Sequence, residues 1–250
     1  MKLSAVVITL NEEPNIERCL GSLGFADEIV VLDSFSTDRT VEIAGRFTDK
    51  VSQREFSGYS DQKNAAMEIA SNEWVLIVDA DEVVTAELAA EVRKAVESDK
   101  YVAYRMPRLT HFLGKPIRHC GWYPDYVTRL MRKSKARFAD RLVHETPTVD
   151  GPIGALSSDL IHYSYRDLDD LGRKMIAYSR AAARQKLLDG ERFSLGALVF
   201  APGLTFLKKY IIKQGYRDGL RGFIVCALSQ FGVFLRYAML WESKEREHDE

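Results

Sequence analysis

Apolar residues run almost unbroken through Ser4–Leu10, Glu28–Leu32 and Trp74–Val78, and each run stops abruptly at polar residues. Short apolar runs with such hard edges predict strands buried on both faces, as in a parallel sheet. The stretches between them keep helical spacing. Asn15–Leu23 places Ile16, Leu20 and Leu23 on one side, and further helices are predicted over Arg39–Arg46, Asp61–Ala70 and Thr85–Ser98. Thr85 sits three residues before Leu88, the place of an N-cap. Lys50–Ser52 reads as a short extra strand. Strands alternating with short helices predict a mostly parallel α/β sheet.

After Asp99 the pattern changes. Tyr101–Pro107, Tyr126–Arg132 and Ile161–Tyr165 read as strands, but the chain between them is aromatic, basic and rich in turns. Leu168–Leu188 reads as a helix. Beyond it, Leu195–Leu207 and Gly222–Leu235 are apolar blocks edged by Lys208, Lys209, Arg221 and Arg236. Each block is too short for a membrane span of about 20 residues. Helices lying in a membrane interface fit this pattern, with basic side chains reaching phospholipid headgroups. A helical cap or a dimer face is the alternative.

Composition narrows the classes. With 250 residues the chain can build a substantial core, and a formal net charge of -1 disfavours a general nucleic-acid binder. Cys19, Cys120 and Cys226 show neither metal-site spacing nor a disulfide framework, which fits a reducing compartment. Met1-Lys2-Leu3 leads straight into the first strand without a signal-peptide pattern.

The candidate chemistry gathers where strands end. Asn11-Glu12, Asp33 and Asp79-Ala80-Asp81 each follow an apolar run, and ligands of open α/β sheets collect at the carboxyl ends of strands. Asp79 and Asp81 are suited to a hard divalent cation, and such a cation can hold a diphosphate. Asp33 fits either of two roles: accepting hydrogen bonds from a base or ribose, or capping the Ser34–Thr40 turn. The first strand is not followed by Gly-x-Gly-x-x-Gly, and there is no Walker loop, so dinucleotide dehydrogenases and P-loop enzymes are disfavoured. Glu145 and Asp125 are the candidate general bases. His162 is a candidate metal ligand. Arg129, Arg132 and His144 are candidate contacts to phosphate or acceptor, and Trp122 and Tyr123 are candidates for stacking on a sugar.

These residues resemble the family 2 glycosyltransferases of the GT-A fold, and among them the lipopolysaccharide core β-glucosyltransferase branch. The broad family is matched by Val6-Val7-Ile8-Thr9-Leu10-Asn11-Glu12, by Asp33–Thr40 and by Asp79-Ala80-Asp81. The branch is matched by Gly121–Asp125, Val143-His144-Glu145, Ile161-His162-Tyr163 and Tyr237–Glu242. The resemblance implies a GT-A catalytic domain over 1–167, with a nucleotide-sugar half at 1–98 and an acceptor half at 99–167. A helical extension would occupy 168–250. Thr9, Asn11, Glu12, Asp33, Lys63 and Asp79 would lie around the nucleotide, and Asp79 and Asp81 by the metal. The implied cofactor is Mg²⁺ or Mn²⁺. The implied donor is a UDP-sugar, UDP-glucose in the closest branch, and the implied acceptor is a lipid-linked saccharide at the cytoplasmic face of an anionic inner membrane. Other readings keep the donor site but give it a polyprenyl phosphate or protein acceptor, or a non-catalytic sensing role. The Glu-Asp and Gln-x-x-Arg-Trp pair of processive synthases is not present.

Overall fold

The computed structural model describes residues 1–139, 146–165 and 167–249, and the chain divides into two compact units. The first comprises Met1–Leu109 and Asp125–Tyr163, the second Thr110–Pro124 and Ser164–Glu250.

The N-terminal half of the first unit alternates strand and helix: β1 (Leu3–Thr9), α1 (Glu13–Gly21), β2 (Glu28–Asp33), α2 (Thr40–Ala44), β3 (Val51–Gln53), α3 (Tyr59–Ile69), β4 (Trp74–Asp79), β5 (Glu82–Val84) and α4 (Ala86–Ser98). Strands β3, β2, β1 and β4 are parallel neighbours in that order. Side chains on β1 alternate between two cores. Leu3, Ala5 and Val7 meet Ile16 and Leu20 of α1 and Leu88 and Val92 of α4, whereas Val6 and Ile8 meet Ala65, Ala66 and Met67 of α3. Covering both faces is why the strand reads as a continuous apolar run.

The Thr85 hydroxyl accepts from the Leu88 N–H at 3.1 Å, so it caps α4 as its spacing predicts. Thr85→Ala is expected to cost about 1 kcal/mol, and a urea titration at neutral pH checks it.

Past α4 the sheet turns antiparallel. β6 (Ala103–Phe112), with the two-residue β7 (Lys115–Pro116) after it, pairs with β8 (Asp125–Arg132), and β8 pairs with β4. Two short strands, β9 (Ala136–Phe138) and β10 (Pro147–Val149), form a ribbon of their own. β11 (Ile153–Ala155) joins β6, and β12 (Leu160–Tyr165) pairs antiparallel with β5. The sheet is therefore mixed, with parallel strands confined largely to the first hundred residues.

The second unit contains α5 (Leu168–Leu188), α6 (Leu195–Leu207) and α7 (Gly219–Asp249), with Phe112, Ile117, Cys120, Leu171, Val225 and Cys226 in its core. α6 runs on through a π-helical turn to Ile212. The apolar blocks are thus parts of longer helical stretches, Leu195–Ile212 and Gly215–Glu245, and both are long and apolar enough to cross a membrane by length and composition. This differs from the sequence expectation, because helix continues across the basic residues that interrupt each apolar block. The unbroken blocks still rise only about 20 Å, against about 30 Å of hydrocarbon. Their large side chains are widely exposed, among them Leu195, Phe200, Leu204, Phe231 and Trp241.

Candidate active site

The parallel strands deliver their carboxyl ends together. Thr9 ends β1 in register with Asp33 at the end of β2, and Ile8 lies opposite Asp79 at the end of β4. The turn after β1 is fastened to the turn after β2. Asn11 has φ 53°, its N–H donates to Ser36 Oγ at 2.8 Å, and its Oδ1 accepts from the Thr37 N–H at 2.8 Å. The Glu12 N–H donates to Thr40 Oγ1 at 2.8 Å. Asn11 and Glu12 therefore build a shared rim.

Asp33 makes the contacts of a turn cap, one of its two sequence readings. It is wholly buried, and its Oδ2 accepts from the Ser36 N–H at 2.8 Å and from Gln53 Nε2 at 2.9 Å. Two other buried polar atoms nearby are unsatisfied. Among the described residues neither Thr9 Oγ1 nor Gln62 Oε1 has a hydrogen-bond partner. Ser34 links them: its N–H donates to the Thr9 carbonyl at 2.9 Å, and its hydroxyl accepts from Gln62 Nε2 at 3.0 Å. Leaving such atoms unpaired costs about 1–3 kcal/mol each, a cost that a ligand bearing N–H or O–H groups would remove.

Asp79 anchors a chain of alternating charges. Its carboxylate meets the Arg129 guanidinium and lies 3.4 Å from Lys63 Nζ. Arg129 also donates to Glu82 Oε1 at 2.8 Å, and the other Glu82 oxygen accepts the Asp79 N–H at 2.9 Å. Arg108 reaches the same Glu82 oxygen at 3.4 Å and donates to Asp125 Oδ2 through Nε (3.0 Å) and a terminal nitrogen (2.7 Å). Three carboxylates thus alternate with three cations. Burial pushes the Asp79 carboxyl up, but Arg129 and then Lys63 outweigh it and hold the group well below the ordinary carboxylate range. Burial likewise pushes Arg129 down, and Asp79 and Glu82 reverse this to leave it raised.

In this network two of the candidate residues already hold protein partners. Arg129, expected at a phosphate or acceptor, is 5 % exposed and committed to carboxylates. Asp79, expected as a metal ligand, has one oxygen on Lys63 and the other on Arg129. The Asp81 Oδ2 lies 3.3 Å from His162 Nε2. No group of three or more His, Cys, Asp or Glu side chains suited to a metal occurs among the described residues. A carboxylate oxygen and an imidazole nitrogen are donors that could hold a divalent cation.

The remaining candidates divide. Arg132 pairs with Asp99 and lies opposite Trp74 at the start of β4, about 17 Å along the strand from Asp79, so it does not join the site. Trp122 packs beside Tyr165, ring centroids 5.6 Å apart, and Tyr123 lies under Arg118 at 5.4 Å, both within the second unit. His144 and Glu145 lie outside the described residues. Glu82 and Arg108 were missed by sequence reasoning. The signal for Glu82 was its place directly after Asp81; nothing local marked Arg108.

Comparison with known proteins agrees with this fold. The structure resembles a mannosyltransferase of Pyrobaculum calidifontis solved with GDP-Man and Mn²⁺, with TM-score 0.57, 14% identity and coverage of 97% of this chain and 88% of that one. It also resembles S. aureus TarS 1-349, with TM-score 0.51, 17% identity, and coverage of 96% and 92%. The fold, a mixed sheet with helices and a helical C-terminal part, is that of the GT-A glycosyltransferases. The chain belongs to glycosyl transferase family 2, whose model matches residues 4–151. Curated relatives extend over nearly the whole chain. The lipopolysaccharide core biosynthesis glycosyltransferase LpsC of Rhizobium meliloti is 32% identical over 97% of this chain and 93% of its own length. An uncharacterized glycosyltransferase of Rickettsia typhi is also 32% identical, over 96% and 87%.

Proposed function

We propose that this family 2 enzyme is an inverting hexosyltransferase that moves glucose from UDP-glucose to a heptose or related sugar of a lipid-linked lipopolysaccharide inner core. The observation that supports this reading is the register that brings the end of β1, just before Asn11 and Glu12, beside Asp79 at the end of β4, together with the Thr9 and Gln62 oxygens left unsatisfied among the described residues. The name of the Rhizobium relative supports the acceptor class, and TarS has been solved with UDP-GlcNAc, which supports a uridine nucleotide donor.

Thr9 and Gln62 supply acceptors to the nucleoside, and Lys63 supplies positive charge near the nucleotide. Asp81 and His162 would hold Mg²⁺ or Mn²⁺, which supplies positive charge to the diphosphate leaving group. Glu145 takes the proton of an acceptor hydroxyl, with Asp125 as the competing base. The freed oxygen attacks the anomeric carbon from the face opposite the diphosphate. One carbon–oxygen bond forms as the bond to UDP breaks, so configuration inverts and no covalent enzyme intermediate is needed.

The test is product mass and linkage after incubation of UDP-sugars with truncated lipopolysaccharide cores; donor binding without transfer to any core would remove the acceptor assignment. Asp81→Asn is expected to lower transfer about a hundredfold, the scale of a lost metal contact worth a few kcal/mol. Excess EDTA should do at least as much, and transfer that survives EDTA would end the metal reading.

The exposed apolar faces of α6 and α7 and their basic flanks support a peripheral site of action at the cytoplasmic face of the inner membrane. The protein is expected to float with anionic liposomes. A folded, monodisperse protein that stays at the bottom of the gradient would point to protein contact through these helices instead.

A further inference from the structure

Cys120 and Cys226 lie far apart in sequence, yet the fold of the second unit brings their thiols together. Both are free cysteines, and both are fully buried. Each thiol lies within hydrogen-bonding reach of the other. Gly215 marks the place where they meet: a Cβ there would stand 2.8 Å from Cys226 Sγ and 3.0 Å from Cys120 Sγ. A side chain at 215 would press on both sulfurs, and glycine leaves them room to approach.

Cys120 is held in place for this meeting. Its φ is 60°, in the left-handed region that residues with a Cβ disfavour. Its N–H donates to the Lys213 carbonyl at 3.0 Å, and its carbonyl accepts from Lys209 Nζ at 3.3 Å. Its Sγ lies 3.6 Å from the carbonyl of Gly222, one turn before Cys226 on α7. Packing in an apolar core would account for one buried cysteine. It does not account for a strained backbone that turns one thiol onto another. Burial pushes both thiols up, and the Lys209 ammonium opposes that shift at each. The reduced pair is therefore slow to react in the resting protein. His119 and Gly121, which flank Cys120, line a cavity of about 380 Å³ together with Lys213 and Gln214. A small oxidant entering it reaches the chain on either side of Cys120.

We propose that Cys120 and Cys226 form a site of reversible oxidation, at which a peroxide closes a disulfide that fastens Thr110–Pro124 to α7. Hydrogen peroxide first converts one thiol to a sulfenic acid and leaves as water. The other thiol then attacks that sulfur and gives up its proton. The S–S bond forms, and the sulfenic oxygen departs as a second water. Two thiols lose two electrons in all, and one peroxide is reduced. The contacts involved lie within the second unit, so the bridge does not depend on the donor, metal or membrane readings.

The full-length protein is treated with hydrogen peroxide, denatured, alkylated with N-ethylmaleimide and weighed intact. Of the three cysteines, wild type is expected to leave only Cys19 open to alkylation, and dithiothreitol should restore the other two. Peptide mapping should find Cys120 joined to Cys226. Closing a loop of about a hundred residues should raise the melting temperature by about 10 °C. C19S should behave as wild type, whereas C120S and C226S should show neither bridge nor rise. Three alkylated cysteines after peroxide overturn the site, and so does sulfinic acid in place of the bridge. A bridge to Cys19, or one that forms in urea as readily as in the folded protein, overturns it too. A Cys120–Cys226 bridge without a rise in melting temperature overturns the fastening of α7.

Discussion

Arg129→Ala is expected to destabilise the protein by about 3–5 kcal/mol, because it leaves buried carboxylates without their shared cation. Glu82 is fully buried and Asp79 largely so, and Arg129 pairs with both. Arg108 still reaches Glu82 at 3.4 Å and Lys63 still reaches Asp79 at 3.4 Å, which places the loss within that range and not above it. For a chain of this size the melting temperature should fall by about 10 °C. A fall of less than a degree or two would mean that the carboxylates do not depend on this guanidinium.

The same ion pairs set the response to acid. Asp79 is held below its ordinary value of 3.8, and Glu28, despite burial, is lowered from 4.5 to about 2 by Lys50, Ser4 and Ser71. Groups depressed in the folded state contribute stability that is complete above their unfolded values and disappears as pH falls through the folded ones. Urea midpoints should therefore hold above about pH 5 and drop steadily below pH 4. In Arg129→Ala that acid dependence should be shallower, since the Asp79 share of it is reduced.

The second large effect concerns the base. Glu145→Gln is expected to reduce transfer by about 10²–10⁴-fold with little change in UDP-sugar affinity. Asp125→Asn should cost far less. Its Oδ2 already accepts two N–H groups of Arg108, which leaves it less basic toward an acceptor hydroxyl. Single-turnover rates with saturating donor, together with calorimetric UDP binding, separate the two outcomes. A large loss in Asp125→Asn with none in Glu145→Gln exchanges the roles. Near-normal transfer in both points to an acceptor that arrives ionised, such as a polyprenyl phosphate.

What could be read from the residues follows physical range. β1, β2 and β4 are legible because burial on both faces writes an uninterrupted apolar run of four or five residues into each. The α4 cap is legible because its two partners are three residues apart. β5, β7 and β9 to β11 have three residues or fewer, too few to show a period. The charge chain is illegible for a different reason: Arg129 and Asp79 are fifty positions apart, and Arg108 and Glu82 twenty-six. Arg108 and Glu82 also pass for ordinary surface charge in the sequence. Asp33 shows the intermediate case, where residue type and position were right for a strand-end acid but only its neighbours decide what it holds.

The second unit is assembled from two separated stretches, and this bears on how the chain emerges during synthesis. Thr110–Pro124 contributes Phe112, Ile117 and Cys120, while their partners Val225 and Cys226 follow about a hundred residues later. At ribosomal rates of about 5–20 residues per second, those apolar side chains wait roughly 5–20 seconds before α7 can cover them. A nascent chain arrested before α7 should be prone to chaperone capture and to proteolysis within 110–124, and completion of α7 should relieve both.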